Sequence, residues 1–121
     1  MFGKKKNVVV DTMQDKRVKE LRSDRYDAWR RVEEATEKVI VRNGVIDLYP
    51  DGADKDKAKR DADSAKEVLL AAMAVYDDLR NQYIQALASP FERVTTKDWH
   101  TVAPTSHEIV EETYKKFYKK T

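Results

Sequence analysis

Cysteine is absent from the 121-residue sequence, and glycine and proline occur only three times each. The lack of cysteine excludes disulfides, thiolate zinc sites and cysteine nucleophiles. The scarcity of glycine and proline argues against a loop-rich β fold or a disordered linker and favours helices. No apolar run approaches the roughly 20 residues of a membrane span. The Met-Phe-Gly-Lys-Lys-Lys start has no apolar segment after it, so we expect no secretory signal and a cytoplasmic protein.

Charged residues make up 38% of the chain and are unevenly distributed. Residues 1–42 contain 12 Lys and Arg against 8 Asp and Glu, a net charge of +4, whereas residues 43–88 contain 6 against 9, a net charge of −3. Charges that flank the seam between two paired helices commonly complement each other in this way. We therefore expect two helices of opposite charge to lie side by side within one domain.

The first helix is predicted over residues 13–42. Its inward positions alternate between steps of three and four, the spacing of a heptad seam, and only one of them is charged. These positions are Val18, Leu21, Arg25, Ala28, Val32, Ala35 and Val39. Asp11 or Thr12 is expected to cap the start of the helix.

Residues 39–49 allow two predictions. Asn43-Gly44 can end the first helix in a left-handed conformation. The same pair, with β-branched residues on both sides, can also form the tight turn of a β-hairpin. We favour the helix because the heptad continues unbroken to Val39 and because Val45 is the apolar residue that such a cap needs.

The second helix is predicted to start at Asp51 or Asp54, after a turn at Tyr49-Pro-Asp-Gly, and to run to residue 88. Its inward positions keep the heptad spacing for four heptads. They are Ala58, Ala62, Ala65, Leu69, Ala72, Tyr76, Leu79, Tyr83 and Ala86. A short connection between two long helices makes them antiparallel neighbours. The predicted fold is therefore all-α, a long antiparallel helical hairpin with coiled-coil-like packing.

A third, shorter helix is predicted near the C terminus. Thr105 to Glu108 matches a capping box. An apolar stripe follows at helical spacing, formed by Ile109, Val110, Tyr114, Phe117 and Tyr118. The chain is thereby divided into three parts: a basic N-terminal arm, 1–11; the helical hairpin, 12–88; and a connecting segment with an amphipathic C-terminal helix, 89–121.

Nine consecutive residues of the second helix, Val68 to Tyr76, carry no charge. One hairpin partner covers only one stripe of a helix, so the apolar residues outside the seam need a second cover. The third helix can supply that cover, and so can another molecule. The residues predicted to bind a partner are Val68, Met73, Val75, Ile84, Tyr114, Phe117 and Tyr118.

Catalytic chemistry has few candidate residues. The histidines are His100 and His107, and although His107 and Glu111 share a helix face, two ligands fall short of the three or four of a zinc site. Asp77 and Asp78 are consecutive on a helix, so they face different directions and are expected to be exposed. We predict no enzyme activity, no cofactor and no metal site.

Basic residues indicate an alternative function. Lysines are clustered near both ends, and the first helix mixes cations with aromatics, a composition that can bind nucleic acid. The predicted anion-binding residues are Lys4, Lys5, Lys6, Arg22, Arg25, Trp29 and Arg30. However, acidic and basic residues alternate in the middle of the chain, and the pI of about 8.7 is below the value typical of nucleic-acid-binding domains.

Together these patterns favour a non-enzymatic structural or adaptor subunit. In this interpretation a helical hairpin joins a larger protein assembly through an apolar face and basic arms, with protein partners or with copies of itself. A bacterial complex or a phage particle would suit such a chain, which places it in the cytoplasm or the virion. The alternative is a nucleic-acid-binding accessory protein.

Overall fold

The computed structural model describes the backbone of residues 3–87 and 103–119 and the side chains of residues 16–86 and 103–119. Three helices form this part of the chain: α1 (Gly3–Ile46), α2 (Ala53–Leu87) and α3 (Ser106–Lys119). The described residues contain no strand. The predicted all-α fold, a long hairpin with a shorter third helix, is confirmed, and the β-hairpin alternative for residues 39–49 is wrong.

The first helix extends beyond both of its predicted ends. It begins at Gly3 instead of at Asp11 or Thr12, so residues 3–11 of the segment predicted as a basic arm are helical in their backbone. No proline interrupts this segment, so helical hydrogen bonding can continue through it. At its other end α1 passes through Gly44 and finishes at Ile46.

The reversal between α1 and α2 therefore lies after the Asn-Gly pair. The N–H of Leu48 donates to the carbonyl of Val45 at 3.1 Å as the chain leaves α1. Gly52, just before α2, has a φ of 148°, which residues with a side chain rarely adopt. Gly44 has no positive φ, so the prediction of a left-handed helix end there is wrong.

The seam between α1 and α2 forms where the heptad spacing predicts it. The predicted α1 positions are buried apart from half-buried Val18, and those of α2 are buried or half-buried. One apolar cluster joins Val32 to Leu69, and a second joins Leu21 to Tyr83. Because early residues of α1 meet late residues of α2, the two helices are antiparallel. No helix in the described residues is both long and apolar enough to cross a membrane.

The third helix packs on one side of this hairpin, more extensively against α1 than against α2. Ile109 is buried in the same cluster as Val32 and Leu69. The Oγ1 of Thr105 accepts a hydrogen bond from the N–H of Glu108 at 3.2 Å, as the capping box predicts. Burial of Ile109 and capping of the first turn together hold α3 in place.

The direction of α3 follows from its two ends. Ser106, its first residue, is hydrogen-bonded to Asp77 of α2. Phe117, in its last turn, lines a groove with Val41 and Val45, near the end of α1. The helix α3 therefore runs in the same direction as α1 and antiparallel to α2.

Candidate functional site

The residues predicted to bind a partner divide between two sides of the hairpin. Val68 and Val75 lie on α2 and are 59% and 52% exposed. Asp77, which contacts the start of α3, is two residues after Val75 and so points about 200° away from it around the helix. The two valines therefore lie on the side of the hairpin that α3 does not cover. Ile84 is half-buried.

The exposed valines border a groove between α1 and α2, here named the back groove, with a volume of about 330 Å³. Its floor contains alanines of the seam, and small side chains allow another helix to approach closely. One wall comes from α2 and is apolar, and the other comes from α1 and is charged. The residues of the back groove are Ala28, Arg31, Glu34, Ala35, Lys38, Val68, Ala71, Ala72 and Val75.

The uncharged stretch from Val68 to Tyr76 has two environments. Leu69 and Tyr76 are buried in the seam, and Met73 packs against the cluster that also contains Ile109. Leu70, like the two valines, is exposed. The chain thus supplies the expected second cover for Met73, but in the described residues nothing covers the apolar side chains on the remaining faces of this stretch.

The second group of predicted partner-binding residues lies in the C-terminal half of α3. Tyr114 and Phe117 are half-buried, and Tyr118 is 63% exposed. The Tyr118 ring lies 6.3 Å from that of Tyr114 and 5.8 Å from that of Phe117, measured between centroids. Val41 and Leu48 are also exposed at this end of the hairpin. These two residues were not among those predicted to bind a partner, although Val41 precedes Leu48 by one heptad.

The start of α3 is fixed to α2 by Asp77. Its carboxylate accepts hydrogen bonds from the N–H of Ser106 at 3.1 Å and from the Ser106 hydroxyl at 2.7 Å. A carboxylate at a helix N-terminus also interacts favourably with the helix dipole. The prediction that both acids are exposed is therefore wrong for half-buried Asp77 and correct for Asp78, which accepts a bond from Gln82.

Two more side chains of α2 hold the residues before α3. The hydroxyl of Tyr76 donates to the carbonyl of Pro104 at 2.6 Å, and the Nε of Arg80 donates to the carbonyl of Ala103 at 2.8 Å. Burial raises the pKa of Tyr76 above its usual value, and the nearby positive charges of Arg25 and Arg80 oppose part of this rise. Tyr76 therefore stays neutral and remains a hydrogen-bond donor at neutral pH.

The residues predicted to bind anions do not form one surface. Arg25 lies in the seam and is only 5% exposed, with its Cζ atom 4.8 Å from the ring centroid of Tyr83 and 5.7 Å from that of Trp29. Its Nε and Nη1 have no hydrogen-bond partner among the described residues. Trp29 is half-buried and meets Tyr76 edge-on. Both side chains therefore contribute to packing within the hairpin.

The other predicted cations differ in position. Arg22 and Arg30 are exposed on α1. The Cζ atom of Arg30 lies 5.4 Å from the ring centroid of Tyr26, which is itself 52% exposed. The side chains of Lys4, Lys5 and Lys6 lie outside the described residues. Of the residues predicted to bind anions, Arg22 and Arg30 are thus the described ones that lie on the surface, and the exposed Tyr26 lies beside Arg30.

Comparison of the chain with protein-family models, with curated proteins and with solved structures found no match. In the described part of the chain, no three His, Asp or Glu side chains lie close enough together to hold a metal ion.

Proposed function

We propose that the chain is a non-enzymatic structural or adaptor subunit that joins a larger protein assembly through the back groove. The observation that carries this proposal is the exposure of Val68 and Val75 beside a groove floored by alanines. The hairpin and α3 supply a folded scaffold, and the back groove supplies the binding surface.

The arrangement of these residues supports the proposal more than their number does, because single exposed apolar residues are normal on protein surfaces. Val68, Ala71 and Val75 have the spacing i, i+3 and i+7, so they form one continuous apolar stripe along α2. A partner that covers this stripe removes apolar surface from water, which contributes about 25 cal/mol per Å². A helix is the element whose shape fits a groove between two helices.

Site-specific photo-crosslinking tests this proposal. A photoreactive amino acid placed at Val75 in the native cells should give covalent adducts with a protein partner. Lys59 is the matched control position, because it is exposed and lies nine residues from Val68, on the opposite side of α2. Adducts should be weak at position 59 and should disappear from position 75 when Val68→Glu is added. Equal yields at positions 59 and 75 would contradict the proposal.

A second candidate function, nucleic-acid binding, is supported by the exposed Tyr26 ring beneath Arg30. Aromatic rings can stack on bases, and arginines can contact phosphates. Binding of DNA or RNA that falls steeply with added salt and is weakened by Arg30→Ala would support it. No binding at about 50 mM salt would exclude it.

A further inference from the structure

We propose that the occupant of the back groove is the back groove of a second copy of this chain, in a two-fold symmetric dimer that pairs Lys38 of each copy with Glu67 of the other. This inference rests on the proposed function, since it names the partner of the same surface. It is carried by the register of α1 against α2 and by the charges on the two walls of the back groove.

The register follows from two contacts of the hairpin. The rings of Trp29 and Tyr76 are 6.4 Å apart, and the Nη1 of Arg42 lies 3.9 Å from the Oδ2 of Asp61. Antiparallel helices rise equally per residue. Lys38 is nine residues after Trp29 and is therefore level with residue 67, nine residues before Tyr76. It is also four residues before Arg42, which places it level with residue 65, four residues after Asp61. Lys38 and Glu67 therefore occupy the same height on the two helices.

The two walls of the back groove differ in charge. On α1 the wall contains Arg31, Glu34 and Lys38, a net charge of +1. The α2 wall is apolar, and the exposed acid Glu67 lies beside its stripe, with no Lys or Arg among residues 67–78. Among the described residues neither Lys38 nor Glu67 forms an ion pair. Both charges are thus available to a partner.

Symmetry determines which walls meet. A two-fold axis parallel to the helices places the basic α1 wall of one copy over the apolar α2 wall of the other, beside which Glu67 lies, and it does so twice, because the interface is isologous. Since the axis keeps each residue at its own height, Lys38 of one copy faces Glu67 of the other. A two-fold axis perpendicular to the helices would instead place the basic α1 walls against each other, which like charges disfavour. The first arrangement also joins the two alanine-floored grooves into a four-helix bundle.

Light scattering of the purified full chain provides the first test. Between about 1 µM and 1 mM the mass should rise from that of one chain to that of two. Val75→Glu should keep the mass of one chain throughout and retain its helical circular dichroism, because this side chain is exposed within the monomer. A wild-type chain that stays monomeric, or a dimer that Val75→Glu leaves intact, would overturn the inference.

A charge exchange tests the pairing itself. Lys38→Glu alone or Glu67→Lys alone places like charges opposite each other twice and should weaken the dimer by about tenfold or more. An equimolar mixture of these two variants restores both opposite-charge pairs and should dimerise as the wild type does. The control mixture combines Glu67→Lys with Lys59→Glu, which has the same net charge as Lys38→Glu but lies outside the back groove. Rescue by the control mixture, or no rescue by the first mixture, would contradict the pairing.

The crosslinking experiment at Val75 separates failure of this inference from failure of the proposed function. Adducts with the mass of two copies support both. Adducts only with a different protein overturn the second-copy inference and leave the proposed function standing. A yield at Val75 no higher than that at the control position 59 contradicts the proposed function itself.

Discussion

The hydroxyl of Tyr76 donates a 2.6 Å hydrogen bond to the carbonyl oxygen of Pro104 and so joins the middle of α2 to the segment that leads into α3. Tyr76 is fully buried, and its ring also packs against Trp29. Tyr76→Phe keeps the ring and removes the donor, so the free energy of unfolding should fall by about 1 to 2 kcal/mol in urea denaturation. Tyr26→Phe, on the surface, should change it by less than about 0.5 kcal/mol. Equal effects of the two substitutions would show that the bond contributes little.

The raised pKa of Tyr76 gives a second, pH-dependent prediction. Because burial favours the neutral phenol, its contribution to stability is fully present below the unfolded tyrosine pKa of 10.0 and is lost as pH rises through the higher folded pKa. The stability advantage of the wild type over Tyr76→Phe should therefore be constant at neutral pH and should shrink above about pH 10. All other residues are the same in the two proteins, so their contributions cancel in this difference. If the free energies of unfolding of the wild type and Tyr76→Phe changed in parallel up to about pH 11, this prediction would be contradicted.

The bond between Asp77 and Ser106 predicts a local effect on α3. Asp77→Ala leaves the N–H and the hydroxyl of buried Ser106 without their acceptor and should destabilise the fold by about 1 to 3 kcal/mol. Hydrogen exchange should increase first in α3, whereas the α1–α2 seam should stay protected. Asp78→Ala is the matched control, since its carboxylate is exposed, and should be nearly neutral. An equal increase of exchange in all three helices would indicate that α3 does not open separately.

The adjacent leucines of α2 provide a matched test of the seam. Leu69 is 9% exposed and Leu70 is 65% exposed, so the two are neighbours in sequence but lie in different environments. Leu69→Ala should cost about 2 to 5 kcal/mol, as for other buried leucines, whereas Leu70→Ala should cost less than about 0.5 kcal/mol. Thermal and urea melts of the two variants give the comparison. Similar melts would refute the assignment of Leu69 to the core.

Heptad spacing made the seam predictable because burial along a helix repeats every three to four residues. Even Arg25, the charged member of the pattern, is buried at its predicted place. The C-terminal end of α1 was less predictable, because a glycine near a helix end can remain helical when the apolar residues beside it pack against another part of the protein. Gly44 does so, and the positive φ falls instead at Gly52.

The candidate site was less predictable than the seam. Met73 and Val75 are both apolar and both outside the seam, and the spacing within α2 does not indicate which side α3 will cover. That choice depends on contacts between residues distant in sequence, such as the bond from Asp77 to Ser106, 29 residues apart. The basic wall of the back groove was missed for the same reason, because Lys38 becomes part of a surface only when α1 and α2 are paired.

Arg25 provides the last prediction, since a buried guanidinium in an apolar seam loses hydration that its contacts must offset. The rings of Trp29 and Tyr83 offset part of that loss through cation–π interactions, yet two nitrogens have no hydrogen-bond partner among the described residues. Arg25→Met keeps an apolar side chain between the rings and should be neutral or stabilising by about 1 to 4 kcal/mol, as for other buried charges replaced by apolar residues.

Two further substitutions at the same position separate packing from charge. Arg25→Ala leaves a cavity and should destabilise the protein by about 2 to 4 kcal/mol. Arg25→Lys keeps the charge but loses the planar group that stacks on the rings, so it should also be less stable than the wild type. In urea denaturation the Arg25→Met variant should therefore be at least as stable as the wild type, and the Arg25→Lys and Arg25→Ala variants should be less stable. If Met proved as damaging as Ala, the interactions of the guanidinium with Tyr83, Trp29 and Tyr76 would outweigh its dehydration, and Arg25 would stabilise the seam through its charge.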